Sequence, residues 1–240
     1  MDFADFSPAL ILVTVVSLAL APFVAVMVTS FTKIVVVLSL LRNALGLQQV
    51  PPNVVINGLA IVLSIYVMYP VVLDTYDAVS ARTAQQAEGA PPAGAPGQDE
   101  AADAGGGGEI DRLLDLVDAG KEPLRAFLIR HSNDAERAFF LRSAERLLPP
   151  ERRGTLTADD FIVIVPAFTV SELTAAFQIG FLIFLPFLII DMVVSNILLA
   201  LGMMMLSPTT VSLPFKLLLF VLVDGWAKLV HGLVLTYGTG

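Results

Sequence analysis

Apolar residues run almost unbroken through most of this chain, and polar ones are gathered into a single stretch in its middle. Phe6 to Thr32 is 27 residues without a charge. As a helix that is about 40 Å, enough to cross a hydrocarbon core of about 30 Å. Lys33 and Arg42 bracket IVVVLSLL, and Gly46 with Pro51-Pro52-Asn53 marks a break before a second apolar helix, expected over Val54 to Leu73. In the last third, Leu173 to Leu206 predicts one long helix, Ser207-Pro208-Thr209-Thr210 a turn, and Leu213 to Tyr237 a returning helix. This is a hydrophobic hairpin. Each apolar segment contains an internal proline, which frees backbone groups that lipid cannot satisfy and that neighbouring protein or water must. Ordinary kinked membrane helices are the plainer reading of the same prolines.

Between these segments lies an insert, residues 74–160, with a different pattern. Ala84 to Gly108 is low in complexity and contains no aromatic or β-branched residue, so it predicts a disordered linker. Ile110, Leu113, Leu114 and Val117 then repeat at helical spacing, predicting an amphipathic helix that ends at Gly120. Pro123 suits the first turn of a second helix running through Phe127 and Leu128 to Arg130. Asp134 to Leu148, with Phe139 and Phe140, predicts a third, stopped by Pro149-Pro150. Such short helices bury little by themselves and are expected to pack on the apolar part or on another copy. Thr157 to Asp160 resembles a capping box opening a helix near Phe161, with Pro166 and Thr169 to Glu172 interrupting it. The chain thus divides into hydrophobic helices over 1–73, an acidic insert over 74–160 with amphipathic helices at 109–150, and a hydrophobic hairpin over 161–240.

Composition sharpens this into a class. Of 240 residues, 56% are hydrophobic, above the roughly 45–50% of a soluble domain, so the chain reads as an all-α integral membrane protein. The insert holds 27 of the 36 charged residues, 17 of them acidic. An acidic soluble part argues against nucleic-acid binding, which needs a basic surface. The absence of cysteine excludes disulfides, thiolate metal sites and cysteine nucleophiles. The two basic residues of the first connector, Lys33 and Arg42, place it in the cytoplasm by the positive-inside rule, and the insert therefore outside. The start, Met1-Asp2-Phe3-Ala4-Asp5, has neither the basic residue nor the cleavage site of a secretory signal, so the first span is expected to be retained.

Charges at hydrocarbon depth mark function, because each costs several kcal/mol, roughly 2.5–3.5 on insertion scales, unless it faces protein or water. Glu172, Asp191, Lys216 and Asp224 are such charges. On a straight hairpin turning at Pro208, Glu172 and Lys216 would differ in height by about 40 Å. Their pairing would require sharp bending or a neighbouring subunit, and the alternative is that each reaches the interface alone. Asp191 and Asp224 fall at similar heights, the arrangement of an acid/base pair. Lys228, four residues after Asp224, would instead neutralise it in a structural ion pair. Met203, Met204 and Met205 stand just before the turn. Methionine ordinarily fills irregular gaps in a core, but its flexible thioether also suits a deformable collar. His131 and His231 have no carboxylate cluster at metal-ligand spacing, so no metal or other cofactor is expected.

Three stretches carry a resemblance: TSFTKIVVVLSLLRNALGLQQVPPN (Thr29 to Asn53), PLRAFLIRHSNDAERAFF (Pro123 to Phe140) and the run from Pro166 to Trp226. They resemble the R-type export-apparatus subunit of bacterial type III secretion systems, the injectisome counterpart of the flagellar P-type subunit. The resemblance covers nearly the whole chain apart from residues 84–108. It implies a non-enzymatic inner-membrane protein with its insert in the periplasm, forming a pentamer with the small S-type and T-type export subunits. The pore so formed passes unfolded effector and needle proteins, and works with the switch subunit and the large export-gate subunit. Hydropathy predicts four conventional spans, whereas the resemblance implies bent helical hairpins in a wound complex raised largely out of the bilayer. Residue by residue, Met203, Met204 and Met205 match the family's methionine gasket, Glu172 and Lys216 a charged pair between subunits, and Phe127 and Phe140 phenylalanines at subunit contacts.

Two other classes stand beside this one. A small-solute or ion transporter would carry inverted repeats, and none is visible. An intramembrane protease would use Asp191 and Asp224, but no Gly-x-Gly-Asp pattern precedes either.

Overall fold

In a computed structural model, which describes residues 8–47, 49–88, 105–203 and 205–238, every element is helical. The order is α1 (Pro8–Met27), α2 (Phe31–Ala44), α3 (Asn53–Glu88), α4 (Gly105–Arg130), α5 (Asp134–Leu147), a single 3-10 turn (Pro150–Arg152), α6 (Phe161–Ala200), α7 (Pro208–Leu222) and α8 (Gly225–Gly238). α3 and α6 are each long and apolar enough to cross a membrane. α1 with α2, and α7 with α8, form two further pairs, each bent by 60° at a short break. Among the described residues this makes two straight apolar passes, or four if each bent pair counts as one pass, by length and composition.

The first expected span divides at residues 28–30. Carbonyls freed at that break are taken up by hydroxyls: Thr32 Oγ1 donates to Val26 O at 3.0 Å, and Thr169 Oγ1 to Met27 O at 3.4 Å. The returning helix also divides. Pro208 starts α7 at its first turn, where a missing N–H costs nothing, and Asp224, at φ 52°, breaks the chain before α8.

Elsewhere helices are longer than the local pattern suggests. α3 continues beyond Leu73 to Glu88, and α4 runs unbroken through Gly120 and Pro123 where two helices were expected. Packing explains the continuity of α4, which lies along α3; at Gly120 a Cβ would meet Val79 Cγ2 at an ordinary contact distance of 3.5 Å. Residues 84–88 and 105–108 of the expected linker are helical, and 89–104 lie outside the described residues. α6 passes Pro166 and the polar group Thr169 to Glu172 without interruption. Thr169 and Ser171 return their hydroxyls to Val165 O and Ala167 O, four residues back. Before α6, half of the expected capping box is made: Asp160 accepts from the Thr157 N–H at 2.6 Å, while Asp160 itself is the cap residue.

The core lies where α2 runs beside α6, with α3 and α8 against them. Ile34, Val37, Leu38, Ile56, Ala60, Leu63, Ala176 and Leu233 form one buried cluster. α2 and α6 approach so closely at Gly180 that an added Cβ would stand 2.2 Å from Leu40 Cδ1. A second cluster fastens the insert to this bundle, placing Phe127 and Leu128 of α4 against Met68, Ile164, Phe168 and Tyr237. The turn between α4 and α5 is tied down as well: the Asn133 N–H donates to Ser171 Oγ at 2.9 Å, and the Asn133 side chain caps α5 by accepting from Ala135 N. The insert helices therefore pack on the apolar bundle, as their small size requires.

Candidate functional site: two polar knots and a methionine loop

α2, α6 and α7 each carry one buried charge, Lys33, Glu172 and Lys216, and the fold collects them at two points. At the insert end, Lys33 of α2 meets Glu172 of α6, Nζ to Oε1 3.3 Å, with 5% and 3% of the two residues exposed. Tyr237 of α8 completes the knot. Its hydroxyl donates to Glu172 Oε2, and its ring lies under the ammonium, 4.0 Å from Nζ to centroid. The other side of Tyr237 faces the insert: Phe127 stacks on it at 6.1 Å and His131 meets it edge-on at 5.0 Å. Beside the knot, Ser30 donates to Ser64 at 3.2 Å, joining α2's first turn to α3. An ion pair so removed from water is tolerable only with its remaining hydrogen-bonding capacity satisfied, which the phenol and the ring do here.

At the opposite end, Lys216 of α7 meets Asp191 of α6 at 2.6 Å and donates to Ala44 O at 3.2 Å. Ala44 ends α2, so the ammonium also sits on a helix C-terminal carbonyl, where a cation is favoured. Ser212 donates to the other Asp191 oxygen at 2.5 Å. Four residues from three helices thus close this knot. Glu172 and Asp191 are nineteen residues apart on α6, about 28 Å of helix, close to the thickness of a hydrocarbon core. The apolar slab lies between the knots.

Each charged or aromatic residue expected to form a site has a definite place within the single chain. Glu172 and Lys216 are not joined within the chain: each is neutralised by a different partner, Lys33 and Asp191 respectively. Lys33 lies at the insert end rather than in a loop on the far side, so of the two connector cations only Arg42 marks that far side. There it donates to Asn53 Oδ1 at 2.5 Å, at the start of α3. No ion pair joins Asp224 to Lys228; Asp224 is exposed at the α7–α8 break, and the Lys228 backbone N–H accounts for their only hydrogen bond. Asp191 and Asp224 share no hydrogen bond either. Phe127 is buried in the chain's own core, whereas Phe140 is half-buried and packs edge-on against exposed Phe139 at 5.3 Å. Among the described residues, no group of three histidine or carboxylate side chains could hold a metal ion.

The methionines are placed differently from any core residue. After α6 the chain turns at Gly202, φ 73°, and Met203 and Met205 stand on the loop, 47% and 101% exposed. Met204 lies outside the described residues. Neither described methionine fills a gap in its own chain.

Among the described residues of the insert, His131 is the one titratable group with a strongly shifted pKa. Burial, with the nearby charges of Lys33 and Arg130, brings it down to about 4. It therefore serves as a neutral ring in the Phe127–Tyr237 stack at ordinary pH. Lys33, Tyr237 and Ser212 were not among the residues expected to form sites. Lys33 had a signal, being one of only two charges between Phe6 and Leu73; Tyr237, at the chain's end, had none.

The chain matches the FliP family over residues 12–233. It is 48% identical over 229 residues, covering 95% of this chain and 97% of the relative, to the hypersensitivity response secretion protein HrcR of Ralstonia nicotianae. It is 50% identical over 221 residues, 92% of each chain, to the Yop proteins translocation protein R of Yersinia pestis. With the flagellar biosynthetic protein FliP of Pectobacterium carotovorum the identity is 43% over 226 residues, 94% of this chain and 77% of that one.

Proposed function

The chain belongs to the FliP family, and on that premise we propose that it is a core subunit of the type III secretion export apparatus. In this reading copies of it, five to a complex, assemble with the S-type and T-type export subunits into an inner-membrane pore for unfolded effector and needle polypeptides. The switch subunit and the large export-gate subunit work beside it. The insert faces the periplasm, and Arg42, near the end of α2 away from it, faces the cytoplasm in keeping with the positive-inside rule. The protein is not an enzyme. Both oxygens of Asp191 accept a hydrogen bond, one from Lys216 and one from Ser212, which suits a structural ion pair rather than an acid/base dyad with Asp224.

The observation that carries this reading is the exposure of Met203 and Met205 on the hairpin loop. Large apolar side chains held out of their own fold need a cover. Thioethers brought together by several copies make a seal that excludes ions and yields to a passing chain. The test replaces Met203, Met204 and Met205 with alanine. The complex should assemble with unchanged composition and conduct ions in reconstituted membranes at rest. Conductance equal to that of the parent complex would remove the gasket from this proposal.

A further inference from the structure

The outer face of α6 differs in kind from the outer face of α3, although the two helices flank the same apolar slab. Over residues 61–73, α3 exposes Ile61, Val62, Ile65, Tyr66, Tyr69, Val72 and Leu73, while its one aliphatic hydroxyl, Ser64, is turned inward to Ser30. Nothing on that face needs a hydrogen bond except phenols. α6 is the reverse. Between Leu173 and Ala200 its uncharged polar residues are Thr174, Gln178, Ser195 and Asn196. Each lines an open groove on the helix's outer side, and none makes a side-chain hydrogen bond to another of the described residues.

Gln178 and Asn196 are separated by eighteen residues, which is five full turns at about 3.6 residues per turn, so both amides point along one azimuth some 27 Å apart. The groove at Gln178 has a volume of about 500 Å³, with Phe177 and Phe181 as its apolar walls. The groove at Asn196 has about 330 Å³ and opens beside Asp191 and Pro208. An amide left without a partner in hydrocarbon costs several kcal/mol, so Gln178, which lies between the two knots, does not face lipid, and Asn196 carries the same stripe on past the Asp191 end of the slab.

We propose that this stripe of α6, from Thr174 to Asn196, lines the aqueous path and contacts the extended backbone of polypeptides in transit. This rests on the secretion-pore reading above. A primary amide offers two donors and an acceptor with two lone pairs. It can therefore exchange hydrogen bonds with any peptide group, whatever side chain that residue bears. Aromatic and methionine side chains between the amides, Phe181 and Met192, supply non-selective apolar contact of the same tolerance. The stripe thus fits a passing unfolded chain of any sequence, while the bare face of α3 fits lipid or a close-packed companion.

The chain has no cysteine, so single cysteines report cleanly. In the full complex in native membranes, Gln178→Cys and Asn196→Cys are labelled with a membrane-impermeant thiol reagent beside Val62→Cys and Ile65→Cys. Thiolates form readily only where water reaches them. Labelling at 178 and 196 is expected to be at least about tenfold faster than at 62 and 65, and to slow when a secreted polypeptide fused to a stable folded domain is stalled in the path. Rates equal to those of the α3 controls would overturn the proposal. So would rapid disulfide formation between copies at 178 or 196 that a stalled polypeptide leaves unchanged, since that marks a copy-to-copy contact. Fast labelling that the stalled chain does not slow would leave water on this face but overturn contact with the cargo. Subunit composition and secretion by the same variants, measured separately, report on the secretion-pore reading itself.

Discussion

Lys33 and Glu172, 139 positions apart in sequence, meet 3.3 Å apart inside the bundle, and Glu172 is thereby satisfied without a neighbouring subunit. Removing one member leaves a buried charge unpaired, a cost of about 3–5 kcal/mol. Lys33→Met should therefore lower the yield of folded protein and its thermal midpoint in detergent. Exchanging the pair, Lys33→Glu with Glu172→Lys, should recover part of the loss. The exchange Lys216→Glu with Glu172→Lys should recover none, because it sets a second carboxylate against Asp191 and a second ammonium against Lys33. Recovery by the second exchange and not the first would return the pairing to the subunit interface.

Tyr237 is the polar anchor of α8, so Tyr237→Phe separates its hydroxyl from its ring. The ring keeps its place under Lys33 and beside Phe127, while Glu172 loses a hydrogen bond, worth about 1–3 kcal/mol for a charged acceptor left short. Tyr237→Ala removes both contacts and should cost more. Thermal unfolding of the two variants, with protease sensitivity of the α7–α8 break as a local readout, orders them.

Gly180→Ala places a methyl against Leu40, where a Cβ would stand 2.2 Å from Cδ1. Overpacking of this kind costs about 1–3 kcal/mol, against a helix-propensity gain of about 1 kcal/mol for losing glycine. A net destabilisation is expected, with Leu40→Ala restoring the fit in the double variant. Additive losses in the double variant would mean that the contact is not tight.

His131 gives the insert a pH dependence of definite sign. Its pKa is lowered in the fold to about 4, from 6.5, so between these values the unfolded chain binds the proton and the folded one does not. Stability should accordingly be highest above about pH 6.5 and decline as the pH falls toward 4. His131→Phe, which keeps a ring between Phe127 and Tyr237, should flatten that decline in a series of thermal midpoints taken across the window.

Much of this architecture is legible in the linear pattern because hydrophobicity acts locally and additively. The apolar segments, the hairpin turn at Ser207 and Pro208, the start of α6 near Phe161 and α5 over Asp134–Leu147 follow from composition, turn residues and caps that neighbours in sequence supply. The misread boundaries share one cause. Pro123, Pro166 and Gly120 are breakers by propensity, yet packing of α4 on α3 and of α6 on α2 and α5 outweighed the roughly 1–3 kcal/mol that such residues forfeit. The breaks at 28–30 and at Asp224 arose where the chain had to turn to stay on the bundle.

From residue order alone came the membrane class, the segregation of charge into the insert, and the set of residues too polar for their surroundings. Which of those residues meet was settled only by tertiary structure. A charge at hydrocarbon depth demands a partner, but the one-dimensional chain does not say which. That choice depends on helix bends of 60° and on α2 settling beside α6, which brought Lys33 to Glu172 and left Lys216 to Asp191.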